Sequence, residues 1–307
     1  MFAPDLLAGQ RILVTGGGTG LGKEIAARLL DLGAEICICG RRESVLTQTA
    51  DEFKARFARR ENAPVVDTYV VDLRDAQSVE KMVDTIWATK PLTGLVNNAA
   101  GNFVSKTESI SANGFDAIAN TVFHGTFYVT NAIGKRWISE KRPGTVLSIV
   151  TTWVRTGSPF VVPSAMSKAG VDVMTKSLAT EWGRYGIRLN AIAPGVFPTE
   201  GATARLRPGK DAHVRETADN PWRRLGKMSE LGNLAAFLMA DGCQWLSGET
   251  IALDGAYHLA QGAYFTQYMD WTDEQWQTAR AAIQAQTDKD KRLRTADVNA
   301  PDAERGA

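Results

Sequence analysis

Residues 11–22 constrain the fold more than any other stretch of the chain. An apolar run, Ile12-Leu13-Val14, ends in a cluster of glycines, and a helical pattern begins directly after them at Lys23. This order of strand, Gly-rich turn and helix directs backbone N–H groups toward one point, where a phosphate can bind. The spacing Gly16-x-x-x-Gly20-x-Gly22 suits a tight turn against a pyrophosphate, although it is not the G-x-G-x-x-G of the long dehydrogenases. We expect a dinucleotide to contact Gly16, Thr19, Gly20, Leu21 and Gly22.

Strands and helices alternate through most of the sequence. Seven runs, several of them almost continuously apolar, predict strands at Ile12–Thr15, Glu35–Cys39, Val65–Val71, Gly94–Asn97, Thr145–Val150, Ile187–Ile192 and Thr250–Leu253. Helical periodicity fills the gaps at Gly22–Leu32, Ser44–Arg59, Ala76–Thr89, Asn113–Lys141, Ser164–Trp182 and Ser229–Asp241. Apolar strands interleaved with helices indicate strands buried on both faces. The predicted fold class is α/β, a single Rossmann-like doubly wound parallel sheet of about seven strands with helices on both faces.

The part of the chain after residue 256 has a different composition. We expect residues 1–256 to form one domain that holds both cofactor and catalytic site, with a mobile helical insertion at Glu200–Thr217. Residues 257–286 are rich in aromatic side chains and predict an extension packed on the domain or on a neighbouring subunit. Thr272 is suited to cap a helix that runs to about Gln286. Residues 287–307, first charged and then rich in Pro and Ala, predict a disordered tail.

Composition excludes several classes of function. A formal net charge of +1 gives no indication of a nucleic-acid partner, and 44% hydrophobic residues can bury a sizeable core. The three cysteines and three histidines lack the spacing of a metal site, and Cys37 and Cys39 would share one buried face of a strand. No signal peptide and no apolar run near the roughly 20 residues of a membrane span are visible. We expect a soluble, cytoplasmic protein with no metal and no membrane partner.

The end of the second predicted strand indicates the type of cofactor. In dinucleotide sites of this fold an acidic side chain there hydrogen-bonds the ribose 2′-hydroxyl, whereas an arginine accommodates a 2′-phosphate. This strand ends Cys39-Gly40-Arg41-Arg42, and the first carboxylate is Glu43. Two solvated arginines are the alternative, but the start of a helix is an unfavourable place for cations without an anionic ligand. We expect Arg41 and Arg42 to select NADP(H).

Several motifs together resemble the short-chain dehydrogenase/reductases over about residues 8 to 256. They are Thr15–Gly22, Asn97-Asn98-Ala99-Ala100-Gly101, Lys168 on the helix after the fifth strand, and Pro194-Gly195-x-x-x-Thr199. A narrower group of segments is similar to the 2,4-dienoyl-CoA reductases, the mitochondrial type above all: Asn98–Phe103, Gly157–Ala165, Lys176–Gly183, Arg205-Leu206 and Glu274-Gln275-Trp276. The resemblance implies NADPH-dependent reduction of a 2,4-dienoyl-CoA to a 3-enoyl-CoA, as in fatty acid β-oxidation, by a homotetramer.

The resemblance also implies roles for individual residues. Lys168 would hold the nicotinamide ribose, Asp72 would accept from the adenine amine, and Thr199 would meet the carboxamide. The other cofactor contacts carried over from the family are Leu73, Asn98, Pro194, Gly195 and Phe197. Asn102 would donate to the thioester oxygen, although Gly-Asn is also a common turn pair, and Thr151 would orient the substrate. Substrate contacts map to Arg74, Phe103, Ser111 and Arg205, of which the two arginines would bind phosphates of coenzyme A.

The sequence departs from its relatives at the proton donor. Most short-chain reductases carry a tyrosine four residues before the lysine, where this chain has Ser164. The dienoyl reductases also lack that tyrosine, so its absence agrees with the narrower resemblance. The mitochondrial type takes a tyrosine from the segment after the fifth strand, where this chain has Trp153, and the peroxisomal type uses an acid where it has Val122. An indole N–H donates a hydrogen bond but cannot supply a proton.

Three sources of the proton stay open. Water could protonate the dienolate while Trp153 and Asn102 stabilise the oxyanion. His124 could serve, although its offset from Val122 turns it to another helix face, where a packed or interface histidine is the simpler interpretation. The substrate could also be a related enoyl thioester with different proton demands.

A function of another class is compatible with the same residues. Loss of the proton donor would permit a non-catalytic NADP(H)-binding protein, and another enoyl or carbonyl compound could be the substrate. The presence of Lys168, Asn102, Arg74 and Arg205 favours the enzyme.

Overall fold

The central element is a seven-stranded sheet in which every neighbouring pair of strands is parallel, in the order β3-β2-β1-β4-β5-β6-β7. The computed structural model describes residues 1–58, 64–199, 206, 212–262 and 268–298. The strands are β1 Arg11–Thr15, β2 Glu35–Gly40, β3 Val66–Val70, β4 Gly94–Asn97, β5 Gly144–Ile149, β6 Ile187–Pro194 and β7 Thr250–Leu253. The predicted fold class is confirmed, and each predicted strand ends within two residues of the observed bounds.

Helices cover both faces of the sheet. The α-helices of the described residues are α1 Gly20–Asp31, α2 Glu43–Arg56, α3 Ala76–Thr89, α4 Ala112–Ala119, α5 Gly125–Ser139, α6 Trp153–Thr156, α7 Val162–Trp182, α8 Ala212–Asp219, α9 Met228–Met239, α10 Tyr257–Ala260 and α11 Asp273–Val298. One core cluster joins the sheet to α1, α2 and α9, and a second joins it to α3, α5 and Trp182 of α7. The apolar strands are therefore buried from both sides, as their sequences require.

The position of a strand in the sheet accounts for its hydrophobic pattern. Every residue of β1, inside the sheet, is buried, whereas in β3, at one edge, only Val66 is buried and Thr68 and Val70 are exposed. The strand order reverses between β1 and β4, and a crevice forms beyond the carboxyl ends of parallel strands at such a point. The Gly-rich turn follows β1 and therefore lies at this crevice.

The helix predicted over Asn113–Lys141 is interrupted in the structure. Residues Asn120–His124 form a π-helical turn between α4 and α5. The turn brings Gly125 against the backbone of Leu73, because a Cβ at Gly125 would lie only 2.9 Å from the Leu73 Cβ and 3.0 Å from its carbonyl oxygen. A hydrophobic period of 3.6 does not reveal one inserted residue, so the sequence predicted a continuous helix. Such turns occur often at functional sites.

The described residues form two compact units, one from Met1 to His258 and one from Leu259 onward. In the second unit the rings of Tyr268, Trp271 and Trp276 pack edge to face. The predicted cap is present, since the Thr272 Oγ1 accepts from the Gln275 N–H at 3.3 Å. The predicted disorder from residue 287 is wrong as far as Val298, because α11 continues to that residue. Charged, exposed residues with good helix propensity have the composition of either a solvated helix or a disordered tail.

Two further expectations concern the predicted insertion and membrane-spanning segments. Most of the predicted insertion at Glu200–Thr217 lies outside them, and its described end belongs to α8. Within the described part of the chain, no helix combines the length and apolar character that crossing a membrane requires.

Candidate active site

The turn after β1, residues 15–22, has the backbone geometry that its glycines predict. Gly16 and Gly20 have φ values of +64° and +55°, in the left-handed region that favours glycine. Gly22 faces the Asn98 amide and the Gly16 carbonyl so closely that a Cβ would collide with both. We call residues 15–22 the cofactor turn. The turn can adopt this shape only because side chains are absent at Gly16, Gly20 and Gly22.

The first turn of α1 is open to an anion. Thr19 precedes the helix in an extended conformation, and its side chain makes no capping hydrogen bond. The first N–H groups of a helix have no partner within the helix. Those of Gly20, Leu21 and Gly22 therefore point out of α1 and carry the positive end of its dipole. A pyrophosphate fits this set of donors.

Side chains from the neighbouring strands hold the cofactor turn. The Thr15 Oγ1 accepts from the N–H groups of Asn98 and Ala99, both at 3.0 Å. The Asn98 Nδ2 donates to the Thr15 and Gly16 carbonyls at 3.0 and 3.3 Å. Asn98, predicted to contact the cofactor, thus fixes the turn across the switch point between β1 and β4. Its amide is already used by the protein backbone.

Thr49 is a supporting residue that the sequence analysis missed. It lies on α2, is buried, and donates from Oγ1 to the Gly18 carbonyl at 2.9 Å. A buried threonine in an otherwise polar helix is the one signal that could have indicated it. The cofactor turn is therefore held from the β4 side by Asn98 and from the α2 side by Thr49.

Charged side chains meet at the ends of β2 and β3. Arg41 and Arg42 are exposed just after β2. Hydrogen bonds from Arg74, and to a smaller extent the positive charge of Arg41, hold the pKa of Asp72 below its usual value. The Arg74 Nε donates to the Asp72 carboxylate at 2.9 Å, and the Arg74 Nη2 donates to it at 2.5 Å. The residues predicted for adenine and for coenzyme A are thus paired with each other, beside the guanidinium of Arg41.

Lys168 and Ser164 are both buried on the same face of α7, as their spacing of four predicts. The Lys168 Nζ donates to the Ile149 carbonyl at the end of β5. Burial lowers the pKa of Lys168 to about 8. A buried ammonium group next to the crevice can bind ribose hydroxyls and supply positive charge.

The loop after β4 carries three of the predicted substrate residues. The Asn102 Oδ1 accepts from the Phe103 N–H at 2.9 Å, which leaves the Nδ2 group to donate elsewhere. The Ser111 Oγ caps α4 by accepting from the Gly114 N–H at 3.1 Å. The half-buried Phe103 lies near Gly114 at the same cap. The Asn102 Nδ2 group is therefore available to donate, while the Ser111 hydroxyl already accepts from the backbone of α4.

The segment after β5 places Trp153 in a single helical turn, α6. Thr151 precedes the turn, and its Oγ1 accepts weakly from the Trp153 N–H at 3.5 Å. Both side chains are half-buried. Val122 is fully buried in the π turn, whereas His124 is exposed and packs near the rings of Phe123 and Tyr128. His124 thus has the environment of a packed surface histidine.

The loop after β6 completes the crevice. The Gly195 N–H donates to the Leu253 carbonyl at 3.0 Å, which continues the pairing of β6 and β7 past Pro194. A Cβ built at Gly20 would lie 3.7 Å from the Thr199 methyl group, so this loop reaches the cofactor turn. Phe197 is buried in the core, and its ring packs on Gly226. Any cofactor contact of Phe197 would therefore involve its backbone. Arg205 lies outside the described residues.

The described residues contain no cluster of His, Cys, Asp or Glu that could hold a metal ion. Burial raises the pKa values of Cys37 and Cys39 to about 12, which keeps both thiols protonated.

Comparison with known proteins gives a consistent result. Residues 16–258 match the family model described as enoyl-(acyl carrier protein) reductase. An uncharacterized oxidoreductase of Caenorhabditis elegans is 44% identical over 295 residues, which cover 94% of this chain and 93% of the relative. A probable 2,4-dienoyl-CoA reductase of the same organism, named as (3E)-enoyl-CoA-producing, is 41% identical over 289 residues, or 92% of each chain. A solved short-chain dehydrogenase from Bacillus anthracis is 36% identical with a TM-score of 0.74, and the match covers 85% of this chain and 100% of the other.

These matches extend over the sheet, the cofactor turn and the segment that carries Lys168. They confirm the resemblance to short-chain dehydrogenase/reductases and, within them, to proteins named 2,4-dienoyl-CoA reductases. The chain belongs to the short-chain dehydrogenase/reductases, a family of oxidoreductases that bind a nicotinamide cofactor.

Proposed function

We propose that this protein is an NADPH-dependent reductase of unsaturated fatty acyl-CoA that converts 2,4-dienoyl-CoA to 3-enoyl-CoA. The observation that carries the proposal lies on α7, where Lys168 is retained and Ser164 stands in the place of a tyrosine. A serine hydroxyl is a far weaker acid than a phenol and cannot replace the tyrosine as the general acid in ketone reduction. Reduction of a conjugated thioester has no such demand, because its oxygen needs hydrogen-bond donors rather than a proton.

The residues at the crevice fit a phosphorylated dinucleotide. The open first turn of α1 suits the pyrophosphate, and the cofactor turn keeps its shape because a Cβ at Gly22 would collide with the Asn98 amide and the Gly16 carbonyl. Arg41 and Arg42 would hold the 2′-phosphate, for which the guanidinium fork is well shaped. To accept from an adenine amine, Asp72 would exchange one of the four hydrogen bonds that it now receives from Arg74, since a carboxylate offers about four acceptor sites. Lys168 would bind the nicotinamide ribose, and Leu73, Pro194, Gly195, Phe197 and Thr199 would line the remainder.

Bound NADPH would supply a hydride to the far end of the diene, and negative charge would then develop on the thioester oxygen. Asn102 stabilises that charge through its Nδ2 donor, and the Trp153 indole N–H acts as a second donor. Thr151 orients a water molecule that returns the proton to the carbon next to the carbonyl. Phe103 contacts the acyl part of the substrate, and Arg74 and Arg205 bind the phosphates of coenzyme A.

A second candidate function is NADP(H) binding without turnover. It is favoured by one observation, that Ser164, Trp153 and Val122 occupy all three positions where relatives carry a proton donor. Reduction of another enoyl or carbonyl substrate is a variant of the enzymatic proposal. The catalytic proposal explains more, because a protein that only binds NADP(H) has no need of the donor at Asn102.

The test is to measure NADPH consumption with a 2,4-dienoyl-CoA, with a simple enoyl-CoA and with a ketone, together with NADPH binding by fluorescence. We expect turnover with the dienoyl compound above both others. Tight NADPH binding with no turnover of any substrate would support the binding protein instead. Faster turnover of the enoyl-CoA or the ketone would redefine the substrate.

Exposed apolar side chains support assembly into a homo-oligomer, which we propose to be a tetramer. Phe123 in the π-helical turn, Phe127 on α5, and Met166 and Val173 on α7 are all exposed. The Phe123 ring packs over Gly170 of α7, so the two groups lie on adjoining helices. Sedimentation analysis tests the proposal, since a monomer at micromolar concentration would contradict it.

A further inference from the structure

Three polar side chains near the active site have no role in the mechanism proposed above. His258 and Asp254 form a buried pair, with side chains 8% and 3% exposed, in which the His258 Nδ1 lies 2.7 Å from the Asp254 Oδ2. The His258 N–H donates to the same oxygen at 2.8 Å. The other ring nitrogen, Nε2, lies 3.2 Å from Nη1 of Arg155 on α6. The three residues form one continuous chain of contacts.

The direction of each hydrogen bond follows from the chemistry of arginine. A guanidinium group only donates, so Nε2 must accept from Arg155 and Nδ1 must carry the ring proton that is donated to Asp254. The Asn220 Nδ2 donates to the Asp254 carbonyl at 2.9 Å, which holds the acid end of the chain. The guanidinium of Arg155 is thereby tied to the segment that follows β7.

The same guanidinium has a second fixed partner. Its Nη2 donates to the Thr250 carbonyl at 2.6 Å, at the start of β7. The Thr250 Oγ1 donates in turn to the Asp172 Oδ1 at 2.5 Å, and Asp172 is a buried residue of α7, four positions after Lys168. Strand β7 thus connects the turn that carries Trp153 with the helix that carries Lys168.

Helix α6 needs such external contacts. It has four residues, its preceding residue Thr152 provides no side-chain cap, and Gly157 ends it in a left-handed conformation with open space around it. So short a helix is not stable by itself. One apolar contact is available, since Val154 packs on a small cluster that includes Val150 and Val171. Arg155, the residue after Val154, supplies polar contacts for α6.

We propose that Arg155 is a positioning residue, held by the His258–Asp254 pair and by Thr250, that sets the place of Trp153 relative to Asn102 and Lys168. The inference rests on the proposed function insofar as Trp153 stabilises the oxyanion. It assigns a catalytic consequence to two residues, Arg155 and His258, that do not touch the substrate.

The first test separates kcat from binding in Arg155→Met. We expect kcat for the dienoyl-CoA to fall by about tenfold, the effect of losing charge-assisted hydrogen bonds that position a donor. The Kd for NADPH should stay within about twofold, because Arg155 is remote from the cofactor turn in the contact chain. Arg142→Met, at an exposed arginine paired with Glu140, is the matched control and should leave kcat unchanged. An unchanged kcat in Arg155→Met would overturn the proposal.

The second test asks which bond of His258 matters. His258→Gln can place an acceptor where Nε2 now meets Arg155, whereas His258→Asn can only replace the shorter bond from Nδ1 to Asp254. Positioning through Arg155 predicts that the glutamine variant keeps more of kcat than the asparagine variant at equal Tm. Equal kcat in the two variants, or a higher kcat in the asparagine variant, would contradict the proposal.

A third measurement does not depend on turnover. The Gly157 N–H donates to the Trp153 carbonyl at 2.8 Å and therefore reports on the integrity of α6. In hydrogen exchange, Arg155→Met should expose this amide at least about tenfold faster while amides of α7 keep their protection. Unchanged exchange would overturn the proposal. If the wild-type protein fails to reduce dienoyl-CoA, the proposed function fails, and this measurement still decides whether Arg155 holds the turn.

Discussion

The cofactor turn follows β1 and α6 follows β5, and the two are built in different ways. The cofactor turn is shaped by backbone conformation, with two left-handed glycines and a web of hydrogen bonds to main-chain groups. Helix α6 is shaped by side chains, and its polar contacts run through Arg155 to residues far along the chain. The first arrangement tolerates little change in sequence, while the second can be rebuilt by a few substitutions.

The difference explains where this chain departs from its relatives. The glycines of the cofactor turn are fixed by close contacts, whereas Trp153, which stands where the similar mitochondrial-type reductases have a tyrosine, belongs to a turn held by side chains. Substitutions should accordingly have large effects on the cofactor side and graded effects on the Trp153 side. The predictions below run from the largest expected effect to the smallest.

Gly22→Val tests the tight packing of the cofactor turn. The added side chain would collide with the Asn98 amide and the Gly16 carbonyl. We expect NADPH binding to weaken by about a hundredfold, since overpacking of this kind costs up to about 3 kcal/mol. Gly183→Val is the matched control, because a Cβ there meets nothing within 4 Å. Titration of protein fluorescence with NADPH would show the loss, and equal affinity in the two variants would contradict the geometry.

Arg41→Asp tests the choice of cofactor. Replacing the guanidinium by a carboxylate should weaken NADPH binding by about thirtyfold and leave NADH binding nearly unchanged, because only NADPH carries the 2′-phosphate. Lys54→Asp, at the other end of α2, repeats the change of charge away from the site. Equal weakening of both cofactors would show that Arg41 does not bind the phosphate.

Lys168→Met tests the charge at the crevice. Burial places the pKa of Lys168 at about 8, so its ammonium group is present below that pH and is lost above it. The Kd of the wild-type protein for NADPH should therefore rise by about tenfold as the pH passes from 7 to 9, and the variant should show a weak and flat affinity. A pH-dependent Kd in the variant would assign the titration to another group.

The Lys168 amine also makes the stability of the cofactor-free protein depend on pH. Between about 8 and 10.5 the unfolded chain holds a proton on Lys168 that the folded chain has released. The contribution of Lys168 to the free energy of unfolding therefore rises with pH through this window. Lys168→Met should remove that rise in denaturant titrations, and a rise of the same size in the variant would show another origin.

Trp153→Tyr tests α6, the region that is held by side chains. A phenol can supply a proton where an indole cannot, so kcat for the dienoyl-CoA should rise by about threefold if protonation by water limits the rate. Trp245→Tyr, at a fully exposed tryptophan, controls for the change of residue type. An unchanged kcat would mean that protonation is not limiting.

How well each region can be predicted from sequence depends on the same difference between local backbone features and long-range side-chain contacts. The strands and the cofactor turn could be predicted because they depend on neighbours in the chain: apolar runs make buried strands, and the glycines stand within seven residues. The long-range contacts of the side chains that hold these elements in place could not be predicted. Asn98 meets Thr15 across 83 positions, and Arg155 meets His258 across 103, and no local pattern encodes such pairs.

Two errors in the expected elements have local causes. The π turn at Asn120–His124 inserts one residue into a helix without altering its apolar character, so periodicity does not reveal it. The helix beyond Thr287 has charged and polar residues that support either a solvated helix or disorder. Its hydrogen bond between the side chains of Gln284 and Asp288 is of the kind that favours the helix.

The contact between Arg155 and Thr250 also protects the sheet. Strand β7 is an edge strand, and Glu249 accepts from Ala191 of β6, so the next residue, Thr250, directs its carbonyl away from the sheet. An unpaired carbonyl on an edge is a template for a strand from another chain. Arg155 occupies this position with a charged side chain. A residue that orders the active site is therefore also one that keeps this edge from pairing with other molecules, and its loss should lower solubility as well as rate.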